Sequence, residues 1–193
     1  APDSPTFVLT YYNQSTQVRL IPYYPVVLIG VPFSSINWEL DLCAIPHELG
    51  HVVYRTSQFA VGNAAEGEVM SRVLETRVFR GTNYPPPPNG LAVDPDWYEP
   101  WLEEMFADIY GCVVAGPFIT RHFINLSRAW KTSSLAANPG AYPSPLVRPY
   151  VYIKTLQALN QRFPELNLSG VIADFSSAWD GFVAAHNANV QLP

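Results

Sequence analysis

Charged side chains, cysteines and long apolar runs are all scarce in this chain. Charged residues make up 14% of the 193 positions, with 11 basic against 16 acidic side chains, a formal net charge of −5 and two cysteines. Phosphate binding needs clustered Lys and Arg, so this composition argues against a nucleic-acid partner. Since no apolar run approaches the roughly 18 residues of a membrane span, none is predicted. We therefore expect a soluble protein, and the sequence leaves open both its compartment, cytoplasmic or secreted, and its oligomeric state.

Apolar and aromatic residues, by contrast, are abundant enough for one substantial core. Hydrophobic residues make up 48% of the chain and aromatic residues 13%, and there are 19 prolines. A chain of this length is expected to bury roughly 70% of its unfolded surface, as a single domain spanning residues 1–193. So many prolines predict irregular backbone between short elements that pack through aromatic rings.

β-Branched and aromatic runs separated by turn residues predict three strands near the N-terminus, at residues 7–12, 18–21 and 26–31. We expect these strands to form a small antiparallel sheet or hairpin, with at least one strand confined to an edge by its flanking prolines. Residues 1–33 are thus mostly strand and residues 34–193 mostly helical. The predicted fold class is α+β, mainly helical.

Apolar residues at spacings of three and four predict helices through the rest of the chain. In the first of them, residues 36–56, Pro46 either kinks the helix or stands at its start. The later predicted helices span residues 65–80, 101–115, 119–131, 150–163 and 171–188.

His47, Glu48 and His51 form an H-E-x-x-H motif within the first predicted helix. Residues i and i+4 share one helix face, so both imidazoles can reach one metal while Glu48 projects toward a water ligand of that metal. The alternative is a helix whose two histidines are solvated or packed in a core. The helical context and the flanking apolar residues favour the metal site, and Zn²⁺ is the expected cofactor.

A catalytic zinc also needs a third protein ligand and an open position for water. Glu104 and Asp108 lie four residues apart in an otherwise apolar predicted helix, where buried carboxylates need a metal, a histidine or an arginine as partner. We predict Glu104 as the third ligand; the alternative for it is an exposed acid at the start of the helix, a role that suits Glu103 better. Asp108 is then the acceptor for a ring N–H of His47 or His51.

The H-E-L-G-H motif at residues 47–51, followed by Glu104 and Asp108, resembles the gluzincin pattern of zinc metallopeptidases. In that family the third ligand is a Glu on a second helix, and an Asp four residues later supports a zinc-bound His. The resemblance implies a zincin-like fold, a zinc-binding active-site helix and a peptide or protein substrate.

The segment Y-P-S-P-L-V-R, from Tyr142 to Arg148, is similar to a motif of peptidases related to the CAAX prenyl endopeptidases. These often carry His-Pro and an Arg six residues after the His, and both side chains line the active site. Position 142 here is Tyr, whose phenol can also donate to an oxyanion. The prenyl endopeptidases are membrane proteins, so their substrate does not carry over. The alternatives are that Tyr142 is simply a loop aromatic and that Arg148 pairs with a structural acid.

The predicted function is a zinc-dependent metallopeptidase that hydrolyses peptide bonds through a zinc-bound water activated by Glu48, which acts first as base and then as acid. Zinc together with Tyr142 or Arg148 would hold the developing oxyanion. An extended substrate is expected to pair with an edge strand, and residues 26–31 are the candidate for that edge.

Two other functions stay open. One is a catalytically silent zincin-like module that binds a peptide or a partner protein, and the other is a zinc hydrolase that acts on a non-peptide amide. The presence of Glu48 favours an enzyme, because a silent module needs no general base. Tyr142 in place of a histidine favours the silent module.

The two cysteines lie close in sequence to the metal-site residues. Cys43 is one turn before His47, and Cys112 is one turn after Asp108. They are either joined in a disulfide that ties the two helices together or present as two buried thiols.

Overall fold

The computed structural model describes residues 7–13, 17–20, 26–32, 42–56, 58–59, 68–69, 98–129 and 143–186. This part of the chain is mainly helical, as predicted, with a small sheet at its N-terminal end. None of its helices is both long enough and apolar enough to cross a membrane.

The strands are β1 (Phe7–Asn13), β2 (Gln17–Leu20), β3 (Val26–Pro32), β4 (Gln58–Phe59) and β5 (Glu68–Val69). The helices are α1 (Ala44–Thr56), α2 (Tyr98–Ala115), α3 (Pro117–Ala129), α4 (Arg148–Arg162) and α5 (Ser169–His186).

The N-terminal sheet has the strand order β1-β3-β2 and is not antiparallel throughout. β1 pairs with β3 in parallel, from Phe7 opposite Val26 to Asn13 opposite Pro32, and β2 pairs with β3 antiparallel. The prediction of an antiparallel sheet is therefore wrong for the β1–β3 pair. A hairpin between consecutive strands would have made β2 the central strand. Instead the most continuously apolar strand takes the centre, as is typical of strands buried on both faces.

β3 is the central strand, so the prediction that residues 26–31 form the edge for an extended substrate is also wrong. Its prolines lie before the strand and at its last position, and they leave the backbone N–H groups between them free to pair on both sides. Val27, Ile29 and Val31 alternate along β3, are buried, and pack against Val52 of α1. Helix α1 is thereby fixed against the sheet.

Helix α1 begins at Ala44 and has Pro46 in its first turn, where a missing N–H costs nothing. Pro46 was expected either to kink the helix or to stand at its start, and the structure places it at the start. The predicted helix over residues 65–80 is wrong at Glu68 and Val69, which pair with β4, and its remainder lies outside the described residues. The short β4–β5 ribbon is thus a pair of strands within residues 34–193, which were predicted to be mostly helical.

Helices α2 to α5 form the main core. Helix α2 ends at Ala115, and Gly116 follows with φ of +58°, a left-handed conformation that glycine adopts without strain. Pro117 then starts α3. Fully buried side chains join the helices of this core, with Tyr152 and Leu156 on α4 and Trp179 on α5.

Candidate metal centre

Helix α1 brings the two motif histidines side by side. Their Nε2 atoms are 3.2 Å apart, and the two rings stand edge to face with centroids separated by 4.8 Å. The side chains of His47 and His51 are 14% and 10% exposed. Positions i and i+4 of one helix thus aim two imidazole nitrogens at one point, as the motif predicts.

Glu104 reaches the same point from α2. Its two carboxylate oxygens lie 3.5 Å from His47 Nε2 and 3.6 Å from His51 Nε2. The three donor atoms of this group lie within 4.8 Å of one another. Two imidazole nitrogens and one carboxylate oxygen suit Zn²⁺ and leave a fourth tetrahedral position for water, so the residues fit the predicted metal.

Asp108 lies behind His47. Its Oδ1 atom is 3.0 Å from His47 Nδ1, although the N–H direction is not aligned well enough for a regular hydrogen bond. Burial alone would lower the pKa of His47, but contacts with Asp108 and Glu104 outweigh burial and raise it to about 9. Without a metal, His47 is therefore cationic at neutral pH.

Arg148 and Tyr152 hold Asp108 in place. Arg148 donates two hydrogen bonds of 2.7 Å to the two carboxylate oxygens, and the Tyr152 hydroxyl donates one of 2.7 Å. Burial would raise the pKa of Asp108, but the hydrogen bonds from Arg148 and the close contact with His47 lower it, so this fully buried carboxyl stays ionised. Arg148 also lies 3.2 Å from Glu104 Oε2 and 4.7 Å from the centroid of the Phe123 ring.

The start of α4 positions Arg148. Pro149 occupies the first turn of this helix, and the Trp179 indole N–H donates to the Leu146 carbonyl at 3.2 Å. The segment that leads into α4 is thereby fixed against α5. Of the two roles predicted for Arg148, the contacts in the structure are those of a partner for carboxylates. Tyr142 lies outside the described residues.

Glu103 is not the exposed acid that the sequence suggested. Its side chain is only 18% exposed, and its Oε1 atom accepts hydrogen bonds from His51 Nδ1 at 2.8 Å and from Arg55 Nε at 2.7 Å. Burial would raise the pKa of Glu103, whereas the bonds from His51 and Arg55 lower it. Sequence reasoning missed Glu103, Arg55 and Tyr152 as site residues. The available signal was spacing, since Arg55 is four residues after His51, and Tyr152 is four after Arg148.

Glu48 lies between the two histidines on α1 and is partly buried. Within the described ranges its carboxylate has no hydrogen bond or ion pair. A side chain predicted to accept a proton from water is thus not engaged by another described group.

Small residues let α1 and α2 approach closely at the site. A Cβ atom on Gly50 would lie 2.6 Å from the Ala107 Cα, and one on Gly111 would lie 3.2 Å from the His47 backbone nitrogen. This contact sets the distance across which Glu104 meets the histidines.

A cavity of about 190 Å³ opens beside His47 and Arg148. Its walls are mainly apolar, and an apolar cavity of about 150 Å³ is large enough to take a benzene ring. Cys43 lies at this cavity, and Cys43 and Cys112 are two buried thiols that no disulfide joins, the second of the two alternatives for them. The other lining residues are Ala44, Ile119, His122, Phe123, Leu126 and Tyr152.

Comparisons of the chain with protein-family models, with curated proteins and with solved structures give no match. Any functional conclusion therefore depends on the geometry of the site.

Proposed function

We propose that the protein is a zinc-dependent metallopeptidase whose metal ligands are His47, His51 and Glu104 and whose general base is Glu48. The observation that carries the proposal is the convergence of three donor atoms from two helices within 4.8 Å. An acidic residue lies behind each imidazole, at 3.0 Å for His47 and 2.8 Å for His51, as is typical of histidines that bind zinc.

Zinc, when bound in such a site, polarises a carbonyl group and lowers the pKa of a water ligand toward about 7. Glu48 accepts a proton from the attacking water and delivers it to the leaving amine. Asp108 keeps the ring of His47 in place, and Arg148 balances the charge of Asp108 and Glu104. The cavity of about 190 Å³ beside His47 provides space for a substrate side chain.

The test combines metal analysis with a peptide-library cleavage assay. We expect one zinc per chain, cleavage of library peptides by the zinc-loaded protein, and loss of cleavage on treatment with a chelator. The variant Glu48→Gln should keep its zinc and lose activity by a factor of about 10² to 10⁴, because only the base is removed. The control Glu165→Gln, at an exposed acid distant in sequence from the motif, should be fully active.

Each alternative outcome has a definite meaning. Zinc binding without cleavage of any peptide or simple amide would favour the silent binding module. Cleavage restricted to non-peptide amides would favour the amide hydrolase. A purified chain that binds no zinc, or a Glu48→Gln variant with undiminished turnover, would contradict the proposal.

A further inference from the structure

Two similar series of interacting side chains, an inner one and an outer one, support the two histidines. In the inner one, His47 meets Asp108, which is 0% exposed, and Asp108 meets Arg148. In the outer one, His51 meets Glu103, which is 18% exposed, and Glu103 meets an arginine that is 51% exposed. Both carboxylates come from α2. The outer series consists of His51, Glu103 and Arg55, and the H-E-x-x-H motif alone does not imply it.

We propose that Glu103 and Arg55 are positioning residues that fix which ring nitrogen of His51 is available to the metal. This inference rests on the proposed metal site and is independent of whether the protein hydrolyses peptides. A neutral imidazole has one N–H and one bare nitrogen, and the hydrogen bond at one nitrogen decides which is which. An ionised carboxylate can only accept, so Glu103 holds the proton of His51 on Nδ1.

The bare nitrogen is then Nε2, which faces the site. It lies 3.6 Å from Glu104 Oε1 and 3.2 Å from His47 Nε2. If the proton of His51 were on Nε2 instead, it would occupy the position that a metal must take. Glu103 therefore prepares His51 for metal binding before any metal arrives.

Arg55 acts on Glu103. Both Arg55 and His51 donate to the same oxygen, Oε1, and they are four residues apart on α1, so one carboxylate joins two successive turns of that helix. Glu103 is next to Glu104 in sequence, and two adjacent carboxylates repel each other. The Arg55 cation offsets this repulsion and keeps Glu103 ionised and correctly oriented.

The test uses the metal-free protein as well as its zinc affinity. Nitrogen-15 NMR of the metal-free wild type should show the His51 ring protonated on Nδ1. In Glu103→Leu this preference should be lost, and zinc binding, measured by competition with a chromophoric chelator, should weaken about 10- to 100-fold. Glu103→Gln retains an acceptor oxygen and should recover most of the affinity. Arg55→Leu should weaken zinc binding by less than Glu103→Leu does.

The controls separate positioning from folding. Glu165→Leu, at an exposed acid, should bind zinc as the wild type does. Arg55 is half exposed, so its variant is expected to fold even if Glu103→Leu is poorly stable. If Glu103→Leu keeps the wild-type tautomer and binds zinc within about twofold of the wild type, the inference is wrong. A wild type that binds no zinc refutes both this inference and the proposed function, whereas zinc binding without hydrolysis refutes only the peptidase.

Discussion

Arg148 meets Asp108 through two parallel hydrogen bonds of 2.7 Å, and this pair joins α4 to α2 directly behind the first histidine of the motif. The Arg148 side chain is 11% exposed and the Asp108 side chain 0% exposed. A bidentate pair of this kind has good geometry, but its members depend on each other because each is removed from water. The pair therefore makes the site sensitive to the loss of either partner.

Replacing Arg148 with a neutral side chain should destabilise the protein strongly. In Arg148→Met the buried Asp108 carboxylate loses its bidentate cation and has only His47 as a charged neighbour, and breaking a buried pair of this kind costs about 3 to 5 kcal/mol. Urea unfolding of the metal-free variants measures this. Arg162→Met, at an exposed arginine on the same helix, should change stability by about 0.5 kcal/mol or less. Equal effects for the two variants would show that the Arg148–Asp108 pair is not energetically important.

The Tyr152 hydroxyl should also stabilise the fold through Asp108. Tyr152 is 1% exposed and donates to the carboxylate at 2.7 Å, and a hydrogen bond to a buried charge is worth about 1.5 to 3 kcal/mol. Tyr152→Phe should lower the free energy of unfolding by that amount. The matched variant Tyr150→Phe removes a surface bond of 2.8 Å to Asp180 and should cost less than about 1 kcal/mol. A reversed order of the two effects would contradict the assignment.

The sequence predicts most of the candidate metal site because its key residues obey local spacing rules. His47 and His51 are brought together by the helix itself, and so are Glu104 and Asp108. The helices after residue 97 also lie within a few residues of their predicted bounds, since their apolar patterns are long and are interrupted by Gly and Pro. Such features depend on neighbours along the chain.

The role of Glu103 could not be predicted in this way. Successive residues on a helix point about 100° apart, so the rotation of α2 decides which of two adjacent glutamates faces which histidine. Helix α2 has apolar residues on nearly all of its faces, so its sequence pattern does not determine how the helix is rotated about its axis. The place of β3 at the centre of the sheet likewise depends on long-range pairing. Tertiary contacts, rather than local preference, decide both features.

The raised pKa of His47 predicts a pH-dependent stability of the metal-free protein. The pKa is 6.5 in the unfolded chain and about 9 in the folded one, so the contribution of His47 is fully present below pH 6.5 and is lost as pH rises through 9. The loss should be on the order of 3 kcal/mol. Urea unfolding between pH 6 and about 9.5 measures it. His47→Gln should remove most of this slope, whereas His186→Gln should retain it.

Zinc affinity should depend on pH in the opposite direction. A metal ligand must be unprotonated, so binding at neutral pH displaces a proton from His47, and affinity should rise toward about tenfold per pH unit below pH 9. Calorimetry in buffers of different ionisation enthalpy counts the protons released, and we expect about one per zinc at pH 7. Release of no proton would show that His47 is neutral in the metal-free protein.

The contact between Gly50 and Ala107 should determine whether the two helices of the candidate metal site, α1 and α2, can approach each other. A Cβ atom on Gly50 would lie 2.6 Å from the Ala107 Cα, and backbone cannot move aside as a flexible side chain can. Gly50→Ala should therefore separate α1 from α2, destabilise the protein by about 1 to 3 kcal/mol and weaken zinc binding.

Gly181→Ala is the matched control, because Gly181 lies within α5 with nothing within 4 Å of the added carbon. That variant should be stabilised by about 0.5 to 1 kcal/mol, since alanine loses less backbone freedom than glycine. If both substitutions stabilise the protein and leave zinc binding unchanged, close packing of α1 on α2 does not position Glu104.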